Sequence, residues 1–281
     1  MIGIVSHDSG GAELLSSWVV KNNHKKKFLF SLSGPALRIF KSKIKNIKNR
    51  NINFLIEHVD KLVTSTSWPP RNEMKAIKLS KKKKIFCSSY LDHWTNYEER
   101  FTQNNKLYLP NEIWVGDKIA KKIAKKKFSK TKIKYVKNEF FESVKNKKYH
   151  KQAKKKKILL LSTPIAKVAK IKFNNYLHFG FTELDAINIA IEKIKNSKYC
   201  YDKIVIRPHP SENSEKFKKL VERNILISKE KDVIKDISSS EIVIGYNSMA
   251  MIIAKLMKKK VYSCLPKGKV KNTLPINFKE L

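Results

Sequence analysis

Short apolar runs alternate with amphipathic stretches along the whole chain, and this alternation predicts the secondary structure. Runs rich in Ile, Val, Leu and Phe that are bounded by turn residues are typical of buried strands, and apolar residues at helical spacing follow several of them. The predicted strands of the first half are Ile2–Ser6, Phe28–Leu32, Asn53–Ile56, Lys61–Ser65, Ile85–Ser89, Glu112–Val115 and Ile133–Val136. The predicted helices of that half are Ala12–Val20, Pro35–Phe40 and Lys118–Ala124.

The second half repeats the alternation. Its predicted strands are Ile158–Ser162, Lys203–Ile206, Ile225–Ile227, Ile242–Ile244 and Val261–Cys264, and its predicted helices are Glu183–Ile194, Glu215–Val221 and Met249–Met257. A further element is predicted at Asp232–Ile237. Thr182 and Asp185 have the spacing of a reciprocal N-cap, which predicts where the first of these helices begins. Strands and helices in alternation indicate an α/β fold of two Rossmann-like domains with a cleft between them.

A basic segment separates the two halves. Residues 144–157 are polar, rich in Lys and without an apolar face, so we predict that they form a linker. The predicted domains are therefore residues 1–143 and 158–281. A chain of 281 residues is long enough for two cores of ordinary size.

The composition adds a formal net charge of +37, which is carried mainly by runs of Lys. Arg forks and exposed aromatic residues, which nucleic-acid surfaces typically use, are not interleaved with these runs, so the pattern argues against nucleic acid as the partner. Attraction to an anionic membrane or to an anionic substrate requires only the positive field of these lysines. Because the sequence has neither a long apolar stretch nor a signal peptide, we expect a cytoplasmic protein that contacts the inner face of the membrane peripherally.

The first chemical candidate is the opening segment IGIVSHDSGGAELL, a predicted strand followed by a turn and a helix. Gly10 and Gly11 permit positive φ and close approach of a ligand, at the strand end where α/β sheets bind ligands. Asp8 could take a proton from an acceptor hydroxyl, and His7 could do the same or orient that hydroxyl. The alternative is that Asp8 only caps the helix or the turn.

A second candidate is KIVIRPHPSE, residues 203–212, in which a predicted strand runs into two prolines. The prolines fix the backbone and direct Arg207 and His209 away from the end of the strand. Both side chains could stabilise negative charge on a phosphate-linked leaving group. The alternative is a structural turn in which His209 bonds only to a nearby carbonyl.

The segment GYNSMAMIIAKL supplies a third candidate at the start of a predicted helix. Asn247 and Ser248 fall at the helix N-terminus, where free N–H groups and the helix dipole favour an anion. A simple N-cap explains either residue equally well.

Polar and aromatic residues are dense in YLDHWTNYEERF, directly after a predicted strand. Asp92, His93 and Trp94 could line a sugar-binding surface, with Trp94 stacked on the sugar ring. The alternative is a buried aromatic anchor, with Glu98 or Glu99 paired to Arg100.

Together these motifs resemble those of GT-B-type bacterial glycosyltransferases, including the sialyl-, polysialyl- and Kdo-transferase-like families with His-Pro and Ser motifs. The segments HDSGGAE, YLDHWTNYEERF and LPNEIWVGD are similar to those of transferases from surface-polysaccharide gene clusters. The resemblance implies that His209 and Ser248 contact the nucleotide phosphates of the donor. It also implies that the Gly10–Gly11 loop faces the acceptor, with Asp8 as the base.

The expected function is transfer of a sugar from a nucleotide-sugar donor to a hydroxyl of a surface glycan or glycolipid. We expect no cofactor and no metal, because the sequence has no DxD-type or HExxH motif and no CxxC pair. Three alternatives remain open: a nucleotide-sugar 2-epimerase, a glycerophosphotransferase-like enzyme, and a non-catalytic basic protein that binds anionic membrane or RNA.

Overall fold

A computed structural model describes residues 1–147, 149 and 156–281, and within these residues the chain forms two units, Met1–Ser143 and Val144–Leu281. Each unit is built around a parallel sheet of six strands, counted over the described residues. The strands are short and apolar and are covered on both faces, as parallel sheets require. The prediction of two Rossmann-like domains is confirmed.

The N-terminal unit has the strand order β2-β1-β3-β4-β7-β8. The strands of its sheet are β1 (Ile2–Ser6), β2 (Phe28–Leu32), β3 (Lys61–Thr64), β4 (Phe86–Leu91), β7 (Glu112–Val115) and β8 (Lys132–Tyr135), and a separate antiparallel pair is formed by β5 (Thr102–Gln103) and β6 (Lys106–Leu107). Its helices are α1 (Ser9–Asn22), α2 (Pro35–Lys43), α3 (Ile52–Glu57), α4 (Asn72–Lys82), α5 (Lys118–Lys127) and α6 (Glu139–Asn146), with a 3-10 turn at Glu99–Phe101.

The C-terminal unit has the strand order β11-β10-β9-β12-β13-β14. Its strands are β9 (Lys157–Leu161), β10 (Lys203–Arg207), β11 (Ile225–Ile227), β12 (Ile242–Gly245), β13 (Lys260–Ser263) and β14 (Lys279–Glu280). Its helices are α7 (Ile165–Phe173), α8 (Glu183–Lys195), α9 (Val233–Ser238) and α10 (Met249–Leu256), with a 3-10 helix at Ser214–Leu220. α8 packs on the sheet through Ile187, Ile191 and Ile194, all of which are buried.

The predicted N-cap at the start of α8 is confirmed. The Thr182 hydroxyl accepts the backbone N–H of Asp185 at 3.4 Å, and the Asp185 carboxylate accepts the backbone N–H of Thr182 at 2.7 Å. Each side chain satisfies one N–H group that would otherwise have no partner in the helix.

Two predicted elements differ from the structure, and three helices were not predicted. The strand predicted at Asn53–Ile56 is wrong, because Asn51 caps α3 by accepting the N–H of Phe54 at 2.8 Å and the apolar residues there bury one helical face. The helix predicted at Glu215–Val221 is a 3-10 helix. α4, α6 and α7 were not predicted.

The predicted linker is too long at both ends. α6 continues to Asn146 and buries Val144, and β9 already begins at Lys157, whose buried amine lies 3.0 Å from the carboxylate of Asp236. Residues 148 and 150–155 of that predicted linker lie outside the described residues.

Candidate functional site

The turn between β1 and α1 carries His7 and Asp8 at the carboxyl end of the N-terminal sheet. His7 is held on both sides: its Nδ1 lies 2.8 Å from the Ser33 hydroxyl, and its backbone N–H donates to Glu73 Oε1 at 2.8 Å. The imidazole lies against Gly34, where φ is +52° and a Cβ atom would collide with the ring. His7 Nε2 lies 3.9 Å from Asp8 Oδ1. The ring is therefore fixed beside the Asp8 carboxylate.

Asp8 occupies the N-cap position of α1, but its side chain makes no capping hydrogen bond. Its Oδ2 instead accepts the backbone N–H of Trp68 at 3.2 Å, and 38% of the side chain stays exposed. Partial burial, together with the negative charges of Glu73 and Asp92, raises the pKa of Asp8 to about 7, against the lowering effects of the Trp68 N–H and the Arg100 charge. The helix-capping alternative is wrong, and Asp8 can accept a proton near neutral pH.

Gly10 and Gly11 are needed for a different reason from the one predicted. Both lie inside α1, which begins at Ser9 rather than at Ala12, and neither has a positive φ. A Cβ atom on Gly10 would collide with the Asp92 carboxylate, and a Cβ atom on Gly11 would lie 2.6 Å from the Cβ of Ser65. The two glycines let the first turn of α1 approach the ends of β3 and β4.

Asp92 follows β4 and is buried in an ion pair. Its Oδ1 accepts a hydrogen bond from the Arg100 guanidinium at 2.8 Å and one from the Thr66 hydroxyl at 3.1 Å, and both charged side chains are only 8% exposed. Arg100 thus pairs with Asp92, whereas Glu98 pairs with Lys127 at 3.1 Å. The predicted pairing of Arg100 with Glu98 or Glu99 gains no support from these contacts.

Trp94 does not present a free ring face for a sugar. It is 8% exposed, and its indole N–H donates to Asp117 at 2.9 Å. Asp92, His93 and Trp94 line a recess of about 10 Å³, which is the volume of a water probe rather than of a sugar. The burial and this hydrogen bond favour the buried-anchor alternative over stacking of Trp94 on a sugar.

Sequence reasoning missed Glu73, which lies in the first turn of α4 and is 3% exposed. Its Oε1 accepts hydrogen bonds from the His7 backbone and from the hydroxyls of Ser65 and Ser67, at 2.8 to 2.9 Å. Its Oε2 is buried and has no hydrogen-bond partner among the described residues. The available signal was weak: a single acidic residue, in a helix start that follows two prolines.

In the C-terminal unit, Arg207 ends β10 and is engaged by the protein itself. Its guanidinium lies 2.5 Å from an Asp236 oxygen and donates to the backbone carbonyls of Glu230 and Lys231 at 2.9 and 3.2 Å. Lys157 bonds to the other oxygen of Asp236, so that this carboxylate holds two cations. These contacts favour a structural role for Arg207 over the predicted contact with phosphate.

His209 is held by its own loop. Its Nδ1 lies 3.2 Å from the backbone N–H of Ser211, which can only donate, and 2.9 Å from the Ser211 hydroxyl. Burial of the ring, together with the charges of Lys167 and Lys216, lowers the pKa of His209 to about 4, although the residue as a whole keeps exposed surface. At pH 7 the ring is neutral with its proton on Nε2, and it can act as a hydrogen-bond donor.

Glu212 organises this loop and was not predicted as a functional residue. Its Oε2 accepts the backbone N–H of His209 at 2.6 Å, and its Oε1 accepts the Ser162 hydroxyl at 3.1 Å and the Lys216 amine at 2.7 Å. Lys216 also pairs with Glu183. The carboxylate of Glu212 is 1% exposed, so it connects the ends of β9 and β10 from within.

Ser248 and Asn247 lie at the start of α10. The Ser248 hydroxyl accepts the N–H of Ala250 at 3.3 Å and keeps its own proton for a further partner. Asn247 has φ of 47° and is tied to the C-terminal segment, since its amide donates to the Lys271 carbonyl at 3.0 Å and accepts the Thr273 N–H at 2.8 Å. The Ser248 hydroxyl can therefore donate a hydrogen bond to a phosphate, whereas the side chain of Asn247 already bonds to the C-terminal segment.

Within the described parts of the chain, no group of three or more His, Cys, Asp or Glu side chains is arranged to hold a metal ion. No helix of those parts has both the length and the apolar character that crossing a bilayer requires.

Comparison with known proteins finds likeness in fold but not in sequence. No protein-family model and no curated protein matches the chain. Among solved structures, it is similar to the UDP-GlcNAc 2-epimerase of Methanocaldococcus jannaschii, with 13% identity, a TM-score of 0.56, and coverage of 93% of this chain and 83% of that one.

Two further similar structures contain UDP or belong to a UDP-sugar enzyme. One is S. aureus MnaA with UDP, with 12% identity, a TM-score of 0.65, and coverage of 94% of this chain and 79% of that one. The other is a UDP-glucosyltransferase from Polygonum tinctorium, with 8% identity, a TM-score of 0.53, and coverage of 95% and 80%. The fold is that of the GT-B proteins, to which glycosyltransferases and 2-epimerases both belong. The sialyl-, polysialyl- or Kdo-transferase type stays a prediction.

Proposed function

We propose that this chain is a glycosyltransferase that moves a sugar from a nucleotide-sugar donor to a hydroxyl of a bacterial surface glycan or glycolipid. The observation that carries the proposal is Asp8, a partly exposed carboxylate whose pKa is raised to about 7 at the carboxyl end of a Rossmann-like sheet. A base needs such a pKa to take up a proton at neutral pH. Ligands of α/β sheets bind at that end of the strands.

In the proposed reaction, Asp8 accepts the proton of the acceptor hydroxyl as its oxygen forms a bond to the anomeric carbon of the donor sugar. The bond between that carbon and the phosphate oxygen breaks, and its electron pair leaves with the nucleotide. His7 orients the acceptor. Its ring bonds to Ser33 and its backbone N–H donates to Glu73, and these two contacts hold it beside Asp8. The contacts of Asp92 with Arg100 and Thr66 make it a positioning residue behind Gly10.

The C-terminal unit is proposed to bind the donor phosphates. His209 donates Nε2–H and Ser248 donates its hydroxyl to phosphate oxygens, and both bonds strengthen as charge develops on the leaving group. Lys167, whose charge acts on His209, adds positive potential. Arg207 and Asn247 support the two loops through their protein contacts rather than touching the phosphate.

Two finer points belong to the same proposal. Metal independence rests on the lack of a DxD-type motif and on the basic residues around His209, which can offset the charge of a leaving phosphate. An acceptor at the inner face of the membrane fits the net charge of +37, because a positive field attracts anionic lipid surfaces.

The fold supports the choice of donor. Two of the similar structures are a complex of S. aureus MnaA with UDP and a UDP-glucosyltransferase from Polygonum tinctorium. Because these structures share only 12% and 8% identity with this chain, the test uses a panel of nucleotide sugars that differ in nucleobase and in sugar.

The test measures nucleotide release from that panel, with and without added glycan acceptors. We expect release that depends on the acceptor, with Asp8→Asn slower by about 100-fold or more and with nucleotide affinity unchanged. Asp60→Asn is the matched control, because Asp60 is exposed and pairs with the N-terminus. Full activity in Asp8→Asn would overturn the assignment of Asp8 as the base.

A 2-epimerase is the second candidate, favoured by the negative charges of Glu73 and Asp92, which act on Asp8. Epimerisation at C2 requires the proton on that carbon to leave and return, so in heavy water the sugar gains deuterium at C2. NMR of UDP-GlcNAc incubated in heavy water without acceptor separates the two functions. Deuterium at C2 indicates an epimerase, whereas unlabelled sugar together with acceptor-dependent nucleotide release indicates a transferase.

A further inference from the structure

A second cavity lies in the N-terminal unit, away from the site described above. It has a volume of about 300 Å³ and lies where the last turns of α1 cover the sheet. The residues on which the argument depends are Trp18, Lys26, Lys61, Trp114, Lys134 and Tyr135. We call it the lysine–tryptophan cavity.

The cavity and Asp8 lie at opposite ends of α1. Asp8 precedes the first turn of this helix, whereas Trp18 and Asn22 belong to its last two turns, about 15 to 20 Å further along the axis. Lys61 is the first residue of β3, so this part of the cavity is at the amino end of the strands. The proposed function makes no use of the cavity.

The sheet register explains why the key residues converge. Trp114 pairs with Lys134 across β7 and β8, and residues in register on parallel strands project from the same face. Trp18 of α1 packs on this face, with its ring centroid 5.0 Å from that of Trp114. The two indoles thus form one apolar wall.

Three lysines surround this wall. The Lys26 amine lies 5.4 Å from the Trp18 ring centroid, and the amines of Lys61 and Lys134 lie 5.7 and 6.0 Å from the ring centroid of Trp114. Among the described residues, none of the three amines lies within 4.0 Å of a carboxylate. The cations meet ring faces rather than counter-ions.

Glu112, the carboxylate whose charge acts on Lys61, has other partners. It accepts the Trp114 indole N–H at 2.7 Å and pairs with Lys132 at 3.3 Å. Desolvation lowers the pKa of Lys61, and the charges of Lys134 and Lys26 lower it further, whereas Glu112 raises it. The amines therefore repel one another, and a bound anion would relieve that repulsion.

We propose that the lysine–tryptophan cavity binds a phosphate monoester, with the phosphate group among the three amines. Its volume lies at the small end of the range for ligand pockets, which suits a small organic phosphate or the headgroup of a lipid phosphate. The dianionic charge matches several cations at once. The buried rings of Trp18 and Trp114 hold the three amines around the cavity.

The test is isothermal titration calorimetry of the full chain with phenyl phosphate, with inorganic phosphate and phenol as the separate halves of that probe. We expect phenyl phosphate and inorganic phosphate to bind and phenol not to bind. Lys61→Met combined with Lys134→Gln should weaken the binding of phenyl phosphate about tenfold or more, because two charged partners are lost. Met keeps an apolar chain against the rings, and thermal unfolding checks that the double variant is folded.

Lys126→Gln is the matched control, since it removes an exposed positive charge from the end of α5, outside the cavity lining. An equal loss in this control, or an unchanged affinity in the double variant, would overturn the proposal. Vesicles containing phosphatidic acid, compared with phosphatidylcholine vesicles, test whether the bound phosphate belongs to a lipid. Competition between these vesicles and phenyl phosphate would assign the cavity to a lipid headgroup, and its absence would assign it to a soluble phosphate ester.

Discussion

The carboxylate of Glu212 accepts the backbone N–H of His209 at 2.6 Å. The same carboxylate accepts the Ser162 hydroxyl, so the loops after β9 and β10 share one buried anchor. His209 Nδ1 is meanwhile occupied by Ser211, and the ring is fixed with Nε2 as its remaining polar atom. The contacts with Ser211 and with the Glu212 carboxylate therefore set the orientation of the imidazole.

Glu212→Gln tests this anchor. The amide keeps the shape but loses the charge that holds Lys216, so we expect the loop to loosen and nucleotide affinity to fall by about 10- to 100-fold, with the fold retained. Calorimetric titration with the preferred nucleotide measures the loss. Glu215→Gln, in the 3-10 helix that follows this loop, is the control, because Glu215 is exposed and pairs with Lys218. Equal effects of the two substitutions would contradict the anchor.

The pH dependence of turnover follows from Asp8. Because its pKa is raised from the ordinary 3.8 to about 7, the carboxylate is protonated in acid and inactive as a base there. We expect kcat/KM to rise about tenfold per pH unit up to about pH 6 and to level off above pH 7. His209, with a pKa of about 4, stays neutral over this range and does not contribute. A rate that is flat from pH 5 to pH 8 would show that Asp8 is not the base.

Much of the fold could be predicted from the sequence, because its strands are continuous apolar runs. β1, β2, β7 and β11 have the bounds that the pattern predicts. Errors arose where local chemistry overrides the pattern. Asn53–Ile56 resembles a strand in composition, but the capping side chain of Asn51 starts a helix. α7 was missed because its apolar residues alternate with lysines over only nine residues.

The site was less predictable, since its geometry depends on contacts distant in sequence. The letters of HDSGG do not reveal that Trp68 and Glu73, some 60 residues away, surround His7 and Asp8. Trp94 illustrates the opposite case: a ring in a polar loop suggests a sugar platform, but Asp117 accepts its N–H and the fold buries it.

Gly10→Ala tests whether Gly10 is needed because α1 approaches Asp92 closely or because glycine is conformationally flexible. In an unobstructed helix, Ala stabilises by about 1 kcal/mol relative to Gly. Here the added methyl group would collide with the Asp92 carboxylate, so we expect destabilisation by about 1–3 kcal/mol and lower activity. Urea unfolding measures the sign of the change. A more stable Gly10→Ala protein would show that α1 does not need this close approach.

Trp94→Phe tests whether the indole is an anchor or a sugar platform. Loss of the hydrogen bond to Asp117 and of some packing should lower stability by about 1–2 kcal/mol, while the KM values for both substrates stay within about twofold. Thermal unfolding and steady-state kinetics on one preparation give both readouts. A large rise in the KM of the acceptor, with stability unchanged, would restore the sugar-binding role.

Nucleotide binding tests the central claim most directly. Thermal unfolding is measured with CMP, UDP, GDP and CDP at matched ionic strength, with inorganic pyrophosphate as the control for unspecific charge, in the wild-type protein and in His209→Ala. We predict a rise in Tm for one nucleotide only, and its loss in His209→Ala. Equal rises for every anion, pyrophosphate included, and no effect of the substitution would show that Lys charge alone binds them and would contradict the assignment of a nucleotide-sugar enzyme.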